Sequence, residues 1–204
     1  MAEKKTVLVF PAGTEIAFEI HAALCRSKFV RLIGGTSVPC HAEFVFENCV
    51  EGFPFADDPA LVDYMNRVID DYGVDYIFPA HDSALLALSE ARERLHAAVI
   101  APAKETVEIC RDKNKTYAYL AGADYLPGFY DSADAVPDYP IFIKPAVGQG
   151  AQGARRVDSP EELRRCLAGE EVYTVALYPA ADVVSHSLLD LLRRIDADYL
   201  RRAG

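Results

Sequence analysis

Apolar and polar positions along this chain fall into two rhythms. Residues 6–10 (TVLVF) form a short, β-branched apolar run, as expected of a strand buried on both faces of a parallel sheet. Pro11-Ala12-Gly13-Thr14 interrupts it. Thr14 is placed to cap a helix from Glu15, in which Ile16, Ile20, Ala23 and Leu24 recur at helical spacing. Residues 29–33 give a second strand closed by Gly34-Gly35, and 44–46 a short third one. Residues 59–72 predict a helix with Leu61, Tyr64, Met65, Val68 and Ile69 on one face and Gly73 as its stop. Residues 74–78 read as a buried strand, 84–95 as a helix and 97–101 as a last short strand before Pro102. This alternation predicts an open, mostly parallel sheet with helices on both faces. Ligands in such sheets bind beyond the carboxyl ends of the strands, where the loops 11–14 and 79–83 fall.

The rhythm then changes. Residues 104–120 read as a polar helix carrying Arg111, Asp112, Lys113 and Lys115, and Pro127 and Pro137 punctuate a linker. Residues 139–145 are a strand ending in Lys144-Pro145, followed by a glycine loop and an extended segment at 154–157. Ser159 caps the next helix, with Pro160 at its first position and Glu162 in the capping-box position. Strand, glycine loop, strand, helix does not continue a parallel sheet; it predicts a second domain built on an antiparallel hairpin. The expected organisation is an α/β domain over 1–103, a nucleotide-binding subdomain over 104–178, and a helical tail over 179–204. In the tail Leu188, Leu191, Leu192, Ile195 and Tyr199 share a face.

Composition narrows the function classes. Among 204 residues 51% are hydrophobic, enough for a real core, and no apolar run approaches the length of a membrane helix. The net charge of −10 disfavours nucleic acid, because a phosphate backbone rewards a basic face. Five scattered cysteines form no CxxC pair and no metal-ligand spacing. They are expected to be reduced, mostly buried thiols of a cytoplasmic protein.

The chemistry concentrates at Lys144 and the segment Gly148-Gln149-Gly150-Ala151-Gln152-Gly153. Glycines so spaced let backbone N–H groups crowd a polyphosphate without Cβ clashes, and the lysine aims a positive charge at the same point. No Gly-Lys-Ser/Thr ends the loop, so it is not a Walker A motif, and the spacing is not that of a dinucleotide fingerprint. A flexible hairpin with a surface lysine is the bland alternative. The run from Tyr139 through Lys144 to Gly153 resembles the phosphate-covering loop of the ATP-grasp superfamily. Cys110-Arg111-Asp112-Lys113, about thirty residues upstream, resembles that superfamily's first nucleotide-binding lysine. The sheet before it, with VLVFPAGTEI from Val7 and IFPAHD from Ile77, resembles the pre-ATP-grasp domain of the carbamoyl-phosphate-synthase-like and biotin-carboxylase-like branch.

The resemblance implies an ATP-dependent carboxylate–amine ligase that activates a carboxylate as an acyl phosphate. It places Lys113 on the α-phosphate, Lys144 on the α- and β-phosphates, and residues Gly148, Gln149, Gly150, Ala151, Gln152 and Gly153 over the β- and γ-phosphates. ATP is the implied nucleotide. Magnesium is expected with it, but no ligands for it are identifiable in the sequence. Family members continue past the point where this sequence stops, so it reads as truncated after the first ATP-grasp subdomain and as an incomplete enzyme. A homo-oligomer and a partner chain supplying the remaining half are both open, and neither nucleic acid nor membrane is an expected partner. The rival reading is a non-catalytic nucleotide-binding or subunit-interaction module. A nicotinamide-dependent oxidoreductase is disfavoured, since Pro11-Ala12-Gly13-Thr14 lacks the glycine-rich turn. Lesser candidates are weighed against plain structural roles. Asp82 or Ser83 is favoured as a helix cap over a substrate contact by His81-Asp82. Gly13 and Thr14 fit a turn and cap as well as a ligand contact. His21, His41, His96 and His186 are isolated, Lys115 is a second phosphate candidate or a solvated charge, and Arg155 is favoured as a surface residue.

Overall fold

The computed structural model describes residues 4–123, 126, 128–130, 132–148, 152–168 and 173–177. The chain divides into two compact units, Met1–Arg111 and Asp112–Gly204. The first runs β1 (Lys5–Phe10), α1 (Glu15–Leu24), β2 (Val30–Gly35), β3 (Cys49–Val50), α2 (Leu61–Tyr72), β4 (Tyr76–Pro79), α3 (Asp82–Glu90), β5 (Ala98–Val99) and α4 (Lys104–Arg111). Its strands form one parallel sheet in the order β3-β2-β1-β4-β5. β1 is central, which is why its sequence is an unbroken apolar run: alternate side chains point to opposite faces, and both faces are covered. Val7 and Val9 pack with Ala17 and Phe46 on one side. Leu8 and Phe10 pack with Met65, Ile69, Ile77 and Leu88 on the other. On α2, Leu61, Met65, Val68 and Ile69 are buried, and Gly73 ends the helix in the left-handed region at φ 62°, where a side chain would be strained.

A salt bridge pins the start of the sheet. Asp75 accepts from Lys5 Nζ at 2.6 Å and from the Thr6 backbone N–H at 2.8 Å. The Lys5 bond, and then the Thr6 bond, hold this carboxyl below the usual aspartate range. A depressed folded-state value stabilises above the ordinary aspartate range and ceases to do so as pH falls through the lower, folded value. Asp75→Asn is therefore expected to lower stability near neutrality and flatten its loss in that acidic window. Urea melts across pH check this, and parallel wild-type and variant curves would contradict it.

Several local expectations are corrected. Residues 44–46 are not a strand. A 3-10 turn occupies His41–Phe44, and the third strand is Cys49–Val50. Phe46 instead plugs the core over Gly34, where a Cβ would lie 2.9 Å from the Phe46 ring. The helix expected over 84–95 runs from Asp82 to Glu90 and gives way to a 3-10 turn at Arg92–Arg94. None of the five cysteines is buried: Cys25 and Cys110 are exposed and Cys40, Cys49 and Cys166 half-buried. They occupy helix ends, a loop and an edge strand rather than central positions. The single helix expected over 104–120 is two. α4 packs against α3 within the first unit. A new helix, α5 (Lys113–Tyr119), starts after Asp112, whose extended backbone (φ −111°, ψ 116°) breaks the run. Among the described residues no helix is long and apolar enough to cross a membrane.

The second unit continues with β6 (Gly128–Tyr130), β7 (Ile141–Pro145), β8 (Arg155–Val157), α6 (Pro160–Leu167) and β9 (Tyr173–Leu177). These strands make an antiparallel sheet in the order β6-β9-β7-β8. The expected hairpin is β7–β8. The linker segment after Pro127 proves to supply the edge strand β6, three residues with no apolar run to betray them. Ile141, Ile143, Val157 and Val175 face α6, whose Leu163 is fully buried among them. Ser159 accepts from the Glu162 N–H at 3.2 Å, while Glu162 reaches back to the Asp158 N–H at 2.9 Å. The helical tail expected over 179–204 lies outside the described residues. A parallel sheet followed by an antiparallel one is the α/β architecture the chain's two rhythms predicted.

Candidate functional site

The strongest cluster of candidate residues lies in the second unit, where α5 meets the end of β7. Asp112 starts α5 by accepting from the backbone N–H groups of Asn114 at 2.8 Å and Lys115 at 3.3 Å. That cap fixes Lys113 at the first helical position. The Lys113 N–H donates to the Ala146 carbonyl at 2.9 Å. Its Nζ donates to the carbonyls of Pro145 at 2.9 Å, Ala146 at 3.3 Å and Gly148 at 3.3 Å. The ammonium thus sits on the junction between β7 and the glycine loop, one, two and four residues beyond Lys144. Removing the cap with Asp112→Ala is expected to cost about 1 kcal/mol. Urea denaturation measures this, and an unchanged midpoint would show that Asp112 does not set the helix start.

Lys144 pairs in register with Thr174 on β9, so the two side chains share a sheet face. Its Nζ lies 5.8 Å from the centre of the Tyr117 ring, within cation–π range. Thr174 is fully buried, and its hydroxyl donates to Asn114 Oδ1 at 2.7 Å. Tyr117 also meets Phe129 of β6 edge-on at 5.5 Å. Asn114 and Tyr117 thereby tie α5 to the sheet face that carries Lys144. Sequence reasoning missed Asn114, Tyr117 and Thr174. Only Thr174 left a signal, as a polar residue within the mostly apolar run YTVAL at 173–177.

The glycine loop is described at its ends. Gly148 is half-buried, and a Cβ there would meet Pro145 at an ordinary 3.6 Å, so packing does not require its glycine. Gly153 has φ 73°, which favours glycine. Gln152 is exposed, and Gln149, Gly150 and Ala151 lie outside the described residues. Lys115 is exposed. Arg155 is a surface residue whose guanidinium donates to the Tyr173 hydroxyl at 3.1 Å and stacks on that ring at 5.2 Å.

The first unit holds the remaining candidates. Thr14 caps α1 by accepting from the Ala17 N–H at 3.1 Å, and its hydroxyl donates to the Ala80 carbonyl at 2.8 Å, joining the loops after β1 and β4. The cap of α3 is His81 rather than Asp82 or Ser83: His81 Nδ1 accepts from the Ser83 N–H at 3.2 Å. His21 packs edge-on against Phe46, and His96 pairs with Asp70 at 3.0 Å. His41 opens a 3-10 turn, and His186 lies outside the described residues. Among the described residues no three His, Cys, Asp or Glu side chains converge to hold a metal ion. The donor set at Lys113 and Lys144, two ammonium groups beside a glycine-rich backbone, suits phosphate oxygens.

No family model matches the chain. Its fold matches the biotin carboxylase domain of 2-oxoglutarate carboxylase from Hydrogenobacter thermophilus with a TM-score of 0.61 at 18% identity, over 87% of this chain and 45% of that one. The chain carries part of an ATP-grasp fold. The ATP-grasp likeness extends to L-amino acid ligase from Bacillus licheniformis, with a TM-score of 0.55 at 20% identity over 86% of this chain and 44% of that one. It extends also to N5-carboxyaminoimidazole ribonucleotide synthetase from Thermotoga maritima, with a TM-score of 0.54 at 16% identity over 86% of this chain and 46% of that one. In sequence the chain is 29% identical over 131 residues to a curated biotin carboxylase from Halalkalibacterium halodurans, 58% of this chain and 29% of that protein. The chain thus spans less than half the length of these ATP-grasp relatives. The Hydrogenobacter structure is a complex with magnesium ADP and bicarbonate.

Proposed function

We propose that this chain holds the phosphates of ATP for an ATP-dependent carboxylate ligation. The observation that carries the reading is the placement of Lys113 on the strand–loop junction one residue past Lys144. Two lysines about thirty residues apart in sequence both engage the contact between α5 and β7: the Lys113 ammonium on the Pro145 carbonyl, the Lys144 ammonium over Tyr117. In such a ligation a phosphoryl group from ATP makes a carboxylate oxygen a leaving group, and an amine then displaces phosphate at the acyl carbon and loses a proton. This chain's residues would act by position and charge. Lys113 would neutralise the α-phosphate and Lys144 the α- and β-phosphates, while the backbone of Gly148 to Gly153 would cover the β- and γ-phosphates. Tyr117 and the Thr174–Asn114 bond would hold α5 and β9 in place under them. Magnesium, when bound with the nucleotide, would supply further positive charge, and among the described residues no cluster of His, Cys, Asp or Glu would hold it.

Calorimetric titration of the full chain with ATP, ADP and AMP, with and without magnesium, tests this. Affinity should fall in that order, since each phosphate removed removes a contact. AMP binding as tightly as ATP, or no binding of any of the three, would rule the reading out. Tight ATP binding with no ADP formed in the presence of carboxylates and amines would favour the rival assignment, a nucleotide-binding module without turnover.

A further inference from the structure

Lys113 grips the root of the glycine loop with both its ends. Its backbone N–H donates to the Ala146 carbonyl at 2.9 Å. Its Nζ donates to the same carbonyl at 3.3 Å, to that of Pro145 at 2.9 Å and to that of Gly148 at 3.3 Å. A carbonyl oxygen has two lone pairs, so Ala146 can accept both bonds. An ammonium has three N–H donors, and three carbonyls at these distances engage all of them. Pro145 and Ala146 are buried and Lys113 half-buried, so water is poorly placed to take over these bonds.

Three carbonyl oxygens turned toward one point repel one another, and a cation between them reverses the sign of that interaction. The ammonium therefore sets the backbone course at the end of β7 rather than decorating it. Peptide units are planar and trans, so a carbonyl turned toward Lys113 turns the next residue's N–H away from it. The N–H groups of Ala146 and Val147 accordingly point to the side opposite the ammonium. Lys144 is held in another way. Its ammonium lies over the Tyr117 ring at 5.8 Å, a contact between charge and ring face that spends no N–H donor.

We infer that Lys113 is a positioning residue of the phosphate site. Its ammonium stays on the three carbonyls when nucleotide binds, fixes the peptide planes at the root of the loop, and contributes its charge through space. The hydrogen bonds to phosphate come from Lys144 and from N–H groups of the loop backbone. That Lys113 orders the loop root stands on its own bonds; that the ordered root serves phosphate rests on the function proposed above.

NMR of the isotope-labelled full chain reads the Lys113 ammonium directly, through its proton exchange and its couplings across hydrogen bonds to the carbonyl carbons of Pro145 and Ala146. Before nucleotide is added it should exchange slowly and show those couplings, and it should keep them when ATP is added. ATP titration of Lys113→Arg and Lys113→Met gives a second readout. A guanidinium keeps the charge but spreads its N–H groups over a rigid plane, so it cannot converge on three carbonyls. Both variants should lose about tenfold in ATP affinity, with arginine recovering little of it. Wild-type affinity in Lys113→Arg would overturn the inference, because a guanidinium serves a direct phosphate contact well. Loss of the carbonyl couplings on adding ATP would overturn it too. So would a fast-exchanging ammonium without nucleotide, whatever the ATP affinity, and that measurement needs no variant to fold. A slowly exchanging, coupled ammonium in a chain that binds no ATP would instead sink the ligase reading and with it the service to phosphate, leaving Lys113 as the anchor of the loop root alone.

Discussion

Lys144→Ala is expected to abolish stabilisation of this protein by ATP. A ligand that binds only the folded state raises its stability by about 2.7 kcal/mol at a hundredfold excess over Kd. In wild type, thermal melts with and without ATP should show a shift of that order. Lys144 is half-buried on β7, and its ammonium lies over Tyr117 on the sheet face that α5 covers. A charge held there is pre-positioned and poorly screened, so its loss is felt more than that of a solvated lysine. Lys115→Ala is the matched control: it is exposed on the same helix and should retain most of the shift. Equal shifts in wild type and Lys144→Ala would remove Lys144 from the phosphate site. No shift in either would leave the glycine loop without a nucleotide role in this chain.

Leu163→Ala should be the most damaging of the stability variants, costing about 2–5 kcal/mol. α6 has eight residues, too few to be stable without tertiary packing. Leu163 is its one buried residue among those described, and it sits fully enclosed against Ile141, Ile143, Val157 and Val175. Truncation leaves a cavity under β7 and β9, the strands that present Lys144 and Thr174 on their opposite face. The urea midpoint should fall accordingly, and ATP affinity should fall with it because the platform loosens. A loss below about 1 kcal/mol would mean that the helix collapses onto the smaller side chain. The sheet would then not depend on this anchor.

Much of the first unit was legible because burial on both faces writes itself plainly. Residues 6–10 of β1 read TVLVF since none of them faces water, and α2 reads Leu61, Met65, Val68 and Ile69 at helical spacing with Gly73 beyond. The misreadings share a cause. Of the apolar residues 44–46 only Phe46 is buried, filling space above Gly34, while Phe44 and Val45 are exposed; an apolar triplet does not say whether it pairs or plugs. β6 looks like linker in the sequence because an edge strand of three residues carries no pattern of its own; its partner, β9, is about fifty residues further along the chain. The helix break at Asp112 had a local cue, since aspartate favours caps, but the polar run on both sides hid it.

The candidate site divides the same way. The chain's own chemistry fixed which groups are available: Lys113, Lys144 and the glycines are types that suit phosphate wherever they fold. It also fixed the two rhythms of apolar residues, and hence a parallel sheet followed by an antiparallel one, because strand and helix periods are local. Tertiary structure alone decided that Lys113 donates to the carbonyls just past Lys144, and that Thr174 lies beside Lys144 and bonds to Asn114. These are contacts between residues far apart in the chain. Their cause is strand register and helix docking, which are set by the packing of whole faces and leave no mark on any single residue.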